Sequence, residues 1–116
     1  MTEQEIFDKV YTHFVVERNP CSVSADGTCM YRGLNGAKCA VGLLIPDEQY
    51  QEGMEGMSAS MLCEEYPSVC DWGVSPDFLM SLQCAHDRMR YVLPHEVRDA
   101  FRAVADLWGL TIPEGS

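Results

Sequence analysis

The chain has 116 residues, of which 47% are hydrophobic, and a formal net charge of −10. This length and hydrophobicity predict one packed domain over residues 1–116 and argue against a disordered segment. No apolar run reaches the roughly 18 residues of a membrane span, and the acidic, amphipathic start MTEQEIFDKV is unlike a secretory signal. We therefore expect a cytoplasmic protein without a membrane partner.

The predicted elements begin with an amphipathic helix. Thr2 and Glu5 match a capping box, and apolar residues recur at helical spacing until an Asn-Pro pair at residues 19–20 breaks the pattern. A small β-hairpin is predicted over residues 21–32, where an Asp-Gly pair suits a tight turn. Residues 37–45 are small and apolar and predict a short buried helix that the next proline ends.

Three further helices are predicted in the second half of the chain. Ser58 or Ser60 can cap the first, Ser75 with the following proline starts the second, and the third runs from near Pro94 to Gly109. The fold class is therefore mainly α with a minor β part (α+β). We expect a compact helical domain of four to five helices with one small β-hairpin after the first helix.

Acidic residues are concentrated in the middle of the chain. No Lys or Arg lies between Lys38 and Arg88, whereas nine acids do. Such a field repels nucleic acid and attracts basic protein surfaces. Simple solvation of helix faces is the alternative interpretation, although ordinary surfaces mix both signs. We predict no direct binding of nucleic acid, and a partner-binding surface formed by Asp47, Glu48, Glu52, Glu55, Glu64 and Glu65.

A catalytic thiol is one alternative function. Cys39 falls at the start of a predicted helix beside Lys38, where the helix dipole and the cation favour a thiolate. His86 and Asp87 offer a base and an orienting acid, which together would make a thiol hydrolase or transferase. However, Cys39 lies among core residues and His86 on an apolar helix stripe, so we expect an inert thiol, a partly buried, hydrogen-bonded histidine and no catalytic residues.

A zinc-binding structural domain is another alternative, because the chain has six cysteines. Structural zinc sites usually contain cysteine pairs two to four residues apart, and no C-x-x-C pair occurs here. Cys84 and His86 are two residues apart on a predicted helix and would point about 200° away from each other. We therefore expect free thiols, as is usual in a reducing cytosol, and no metal or cofactor.

One internal stretch resembles a known family. The elements Y-R, G-x-K-C-A-hydrophobic-G, L-I-P-D-E, Y and E-G occur here as Tyr31-Arg32, Gly36, Lys38 to Gly42, Leu44 to Glu48, Tyr50 and Glu55-Gly56. Over residues 29–56 the chain resembles small uncharacterised proteins of bacteriophages and bacteria. The resemblance implies a phage or prophage origin, a compact helical fold and the cytoplasm of a bacterial host cell. It implies no catalytic residues.

The resulting hypothesis is a non-enzymatic, acidic module that acts by protein–protein binding. Small acidic phage proteins often act by occupying host proteins, and this analogy gives the target class. The expected partner is a host protein with a basic surface. The expected role is inhibition of a host nucleic-acid-handling or defence complex, as in anti-CRISPR or host-takeover proteins, and the oligomeric state stays open.

Overall fold

The computed structural model describes residues 2–19, 21–22, 30–33, 36–67, 69, 72–89 and 91–113. These residues are mainly helical, as predicted. They form five α-helices: α1 (Glu3–Tyr11), α2 (Ala40–Leu44), α3 (Ala59–Glu65), α4 (Pro76–Arg88) and α5 (Pro94–Trp108). A π-helical turn, Thr12–Val16, continues α1, and two 3-10 turns, Asp47–Gln49 and Glu52–Met54, connect α2 to α3.

The small β-hairpin predicted over residues 21–32 is not seen. Its centre, residues 23–29, lies outside the described residues, and its described ends contain no strand. The backbone N–H groups of Tyr31 and Arg32, which a strand would use for pairing, donate instead to the side chain of Glu55. Among the described residues, the backbone N–H of Met30 donates to the carbonyl of Ser22 at 3.2 Å, and an isolated antiparallel bridge joins Arg32 to Lys38.

Local capping signals set the helix ends. Thr2 and Glu5 form both hydrogen bonds of the predicted capping box. Ser58 caps α3 and Ser75 caps α4 through their side-chain oxygens. Gly109 ends α5 in the left-handed conformation, with φ of 67°, which glycine adopts without strain.

Helix α4 lies at the centre of the fold. It packs against α1, α2, α3 and α5, and α5 also contacts α1. Phe14 stacks on Phe101 with ring centroids 5.8 Å apart, which joins the π-helical turn to α5. The described residues thus share one hydrophobic core. Among them, no helix is both long and apolar enough to cross a bilayer.

Candidate functional site

Cys39 is the N-cap of α2. Its Sγ accepts a hydrogen bond from the backbone N–H of Gly42, 3.1 Å away. The thiol is fully buried, and this burial raises the pKa of Cys39 to about 12. The neighbouring Lys38 ammonium lies 3.6 Å from Asp47 and forms an ion pair there. Buried and protonated, Cys39 has the features of an inert structural thiol.

His86 is fully buried in α4 and uses both ring nitrogens. Its Nε2 accepts the backbone N–H of Ser22 at 2.9 Å, so this nitrogen carries no proton. The proton therefore sits on Nδ1, which faces Asp87 Oδ1 at 2.9 Å. This neutral imidazole has no free lone pair to accept a thiol proton. His86 instead ties the chain at Ser22 to α4.

Gln83 connects α2 to α4 and has no role in the sequence-based prediction. Its Oε1 accepts the backbone N–H of Val41 at 3.3 Å, and its Nε2 donates to Asp87 Oδ1 at 3.2 Å. The Gln83 side chain also lowers the pKa of Cys39, against the larger effect of burial. His86 and Asp87 belong to a hydrogen-bond network around Gln83, and the geometry gives the thiol hydrolase or transferase alternative no support.

Among the described cysteines, one departs from the expectation of free thiols. Cys63, on α3, is disulfide-bonded. Cys21, Cys39 and Cys84 are free. Sequence spacing could not reveal the disulfide, because a bridge requires two Cα atoms within about 7 Å in the folded chain.

Metal ligands are not grouped in the part of the chain that the structure describes. No cluster of three or more His, Cys, Asp or Glu side chains able to hold a metal ion occurs there. Cys84 is exposed whereas His86 is buried, so the two residues face different surroundings. Nothing in the described geometry favours the zinc alternative.

Two of the six predicted acidic residues are engaged within the protein. Asp47 accepts from Arg32 Nη1 at 2.6 Å, and this hydrogen bond is the main cause of the lowered pKa of the Asp47 carboxyl. Glu55 is half-buried and accepts from the backbone N–H groups of Tyr31 at 2.7 Å and Arg32 at 3.1 Å. The hydroxyl of Tyr50 also donates to Glu55. Glu55 therefore anchors the segment at residues 31–32.

The other four predicted acids, Glu48, Glu52, Glu64 and Glu65, are exposed. Within the described residues, no Lys or Arg forms an ion pair with any of them. The turn that carries Glu52 lies beside the end of α3, because a Cβ atom on Gly53 would be 3.1 Å from the hydroxyl of Tyr66. We refer to these four residues as the acidic surface. Asp71, another acid of the base-free interval, lies outside the described residues.

A cavity of about 290 Å³ opens between α4 and the chain that leads into α3. Sequence analysis missed it. One wall is formed by Met80, Gln83, Cys84 and Asp87, which share one face of α4 at i, i+3, i+4 and i+7 spacing. This spacing is visible in the sequence next to the apolar stripe of the same helix. The cavity is lined by Met30, Tyr31, Glu55, Gly56, Met57, Ser58, Ala59, Met80, Gln83, Cys84 and Asp87. We call it the methionine cavity.

No protein family, curated protein or solved structure matches this chain. The resemblance of residues 29–56 to phage and bacterial proteins stays a prediction. Function must therefore be inferred from the geometry and charge described above.

Proposed function

We propose that this protein binds a basic surface of another protein through the acidic surface. The observation that carries the proposal is the exposure of Glu48, Glu52, Glu64 and Glu65 within an interval that contains no Lys or Arg. Asp47 and Glu55, by contrast, have partners inside the protein. The same interval therefore contains carboxylates with partners inside the protein, one of them the exposed Asp47, and exposed carboxylates without a Lys or Arg partner among the described residues.

The outward-facing carboxylates have an energetic cost in the isolated protein. Like charges repel one another, and exposed helices gain stability when acids alternate with Lys or Arg at i,i+4 spacing. The acidic surface makes no such pairs among the described residues. A binding partner that brings its own cations relieves this repulsion and is attracted from a distance, which speeds association.

The proposed partner is a host protein whose basic groove normally holds nucleic acid. The proposal takes the phage context from the resemblance of residues 29–56, and with it the cytoplasm of a bacterial host cell. By occupying the groove, the acidic surface would inhibit a host nucleic-acid-handling or defence complex without binding nucleic acid itself. The proposed activity is binding alone, with no catalytic step.

The test is affinity capture from a bacterial lysate at low salt, with mass spectrometry of the retained proteins. Two variants with the same change of net charge are compared: Glu48→Lys/Glu52→Lys, and the control Asp99→Lys/Asp106→Lys on exposed positions of α5. We expect a basic protein to be retained by the parent and the control, and lost by the first variant. Retention should also fall as salt rises, because exposed charges are screened beyond about 10 Å at 0.1 M.

Two results would contradict the proposal. One is the failure of the parent to retain any basic protein at low salt. The other is equal retention by both charge-reversed variants, since the acids would then serve only to solvate the surface.

A further inference from the structure

We infer that the methionine cavity receives one long apolar side chain from a basic amphipathic helix of the partner, an inference that rests on the proposed function. The cavity and the acidic surface share two elements. Glu52 lies in the turn directly before Glu55 and Gly56, which line the cavity, and α3 begins at Ala59 in the cavity wall and ends at Glu65. One partner can therefore contact both.

The walls suit an apolar anchor. Three methionines line the cavity, and Met80 is 38% exposed although it is a large apolar residue. Methionine is unbranched and polarisable, so a methionine-lined wall adapts to different apolar groups. The volume of about 290 Å³ is at the low end of the range for small-molecule sites. It suits a single side chain of the kind that anchors protein interfaces.

Two carboxylates on different walls determine the charge of the occupant. Glu55 comes from the turn before α3, and Asp87 comes from the last turn of α4, where its side chain is 43% exposed. Both are held in place, Glu55 by the amides of residues 31 and 32 and Asp87 by His86 and Gln83. Among the described residues of the lining there is no Lys or Arg. These residues are mainly apolar, and they include two carboxylates held in fixed positions.

These charges discriminate among possible occupants. A neutral apolar ligand would remove water from two carboxylates without replacing their hydrogen bonds, which is costly. A second copy of this chain would bring a net charge of −10 against the same sign. An apolar side chain flanked by Lys or Arg fills the apolar space, and its flanking cations donate hydrogen bonds to the two carboxylates. An amphipathic helix presents this pattern, with apolar anchors at i, i+3 and i+4 and cations beside them.

The first experiment uses three synthetic peptides and the parent protein labelled with ¹³C at the methionine methyl groups. One peptide is a Leu/Lys amphipathic helix, one has the same composition with the Leu residues dispersed, and one has the same apolar pattern with Glu in place of Lys. We expect only the first peptide to shift the methyl signals of Met57 and Met80. Met61, which is exposed on α3 but does not line the cavity, should move less.

The second experiment blocks the cavity. Cys84→Trp adds bulk at an exposed position of the lining, Met80→Lys adds a repelling cation there, and Leu107→Trp is the control on exposed α5. With folding checked by thermal melting, we expect each cavity variant to weaken binding of the Leu/Lys peptide by about tenfold or more. The control should bind like the parent.

The outcomes separate the two proposals. Equal methyl shifts with the dispersed peptide, or parent-like affinity in both folded cavity variants, would overturn the cavity inference. Self-association of the parent that displaces the peptide would assign the cavity to a second copy and overturn it as well. A partner captured from lysate equally by the parent and Cys84→Trp would reject the cavity but keep the acidic surface. Failure to capture any partner would reject the proposed function.

Discussion

Cys39, His86 and Glu55 are ionisable side chains whose roles follow from their surroundings. The Cys39 thiol is desolvated and receives a backbone N–H, and the His86 ring is held between Ser22 and Asp87. Glu55 accepts two backbone amides and a tyrosine hydroxyl. Each of the three makes hydrogen bonds that join separate segments of the chain, which leaves little capacity for chemistry on an external molecule.

The thiols of Cys39 and Cys84 should differ in reactivity. Burial raises the pKa of Cys39 from 9.0 to about 12, which leaves roughly a thousandfold less thiolate at pH 8. Cys84 is free and exposed. We expect iodoacetamide to label Cys84 at least about 100-fold faster than Cys39 in the folded protein, and at a similar rate in urea. Peptide mass spectrometry measures the labelling of each cysteine. Rapid labelling of Cys39 in the folded protein would support the thiol-enzyme alternative.

Gly42 has no room for a side chain. A Cβ atom there would lie 2.1 Å from the carbonyl oxygen of Tyr31, which is backbone and cannot rotate away. We expect Gly42→Ala to lower the free energy of unfolding by about 1–3 kcal/mol or more. In Gly53→Ala, the control, the new atom meets only the flexible end of Tyr66 at 3.1 Å. Equal urea midpoints for the two variants would show that α2 does not pack this closely against the backbone of Tyr31.

At the scale of elements, short helices and turns are held by contacts distant in sequence. Helix α2 has only five residues, Ala40–Leu44, too few for a helix to be stable by itself. The Cys39 cap and the Gln83 side chain satisfy its first N–H groups. The segment at residues 31–32 is held by Glu55 in the same way. These links set the positions of the cavity walls.

The Glu55 carboxylate accepts the backbone N–H groups of residues 31 and 32, so replacing it should weaken the attachment of this segment. In Glu55→Gln one of the two accepted backbone amides faces an NH₂ group, so a partly buried donor loses its partner. We expect a loss of about 1–3 kcal/mol in the free energy of unfolding, measured with urea. The matched control Glu52→Gln alters an exposed residue and should change stability by less than about 0.5 kcal/mol. Similar losses in both variants would refute the anchoring role of Glu55.

At the scale of the whole molecule, the distribution of charge matters more than its total. Acids and bases alternate on α5, where Asp99 and Asp106 have Arg98 and Arg102 on the same helix. The acidic surface has no such compensation among the described residues. The net charge of −10 therefore acts mainly as a local field on one part of the molecule.

Charge reversal should therefore affect stability differently on the two surfaces. Glu48→Lys/Glu52→Lys relieves repulsion, so its melting temperature should equal or slightly exceed that of the parent. Asp99→Lys/Asp106→Lys leaves Arg102 without the acids three residues before it and four residues after it, and should melt no higher than the parent. Differential scanning calorimetry at low and high salt measures both, and salt should reduce the difference. A lower melting temperature for the first variant than for the second would contradict this account.

The sequence by itself determined the helices, because their signals are local. The capping box of Thr2 and Glu5, the Ser75 cap before a proline and the final Gly109 act within one turn of the chain. The interval without Lys or Arg is likewise a property of composition. Four acids of the predicted partner-binding set, Glu48, Glu52, Glu64 and Glu65, are exposed, and their function stays a proposal.

Only the tertiary structure decided the contacts between distant residues. Glu55 accepts the amides of residues 31 and 32, which the local pattern of residues 21–32 assigned to strand pairing. The disulfide at Cys63 and the methionine cavity depend in the same way on which segments meet. The physical reason is that a side chain's hydrogen bonds and burial depend on neighbours across the fold, which spacing along the chain does not encode.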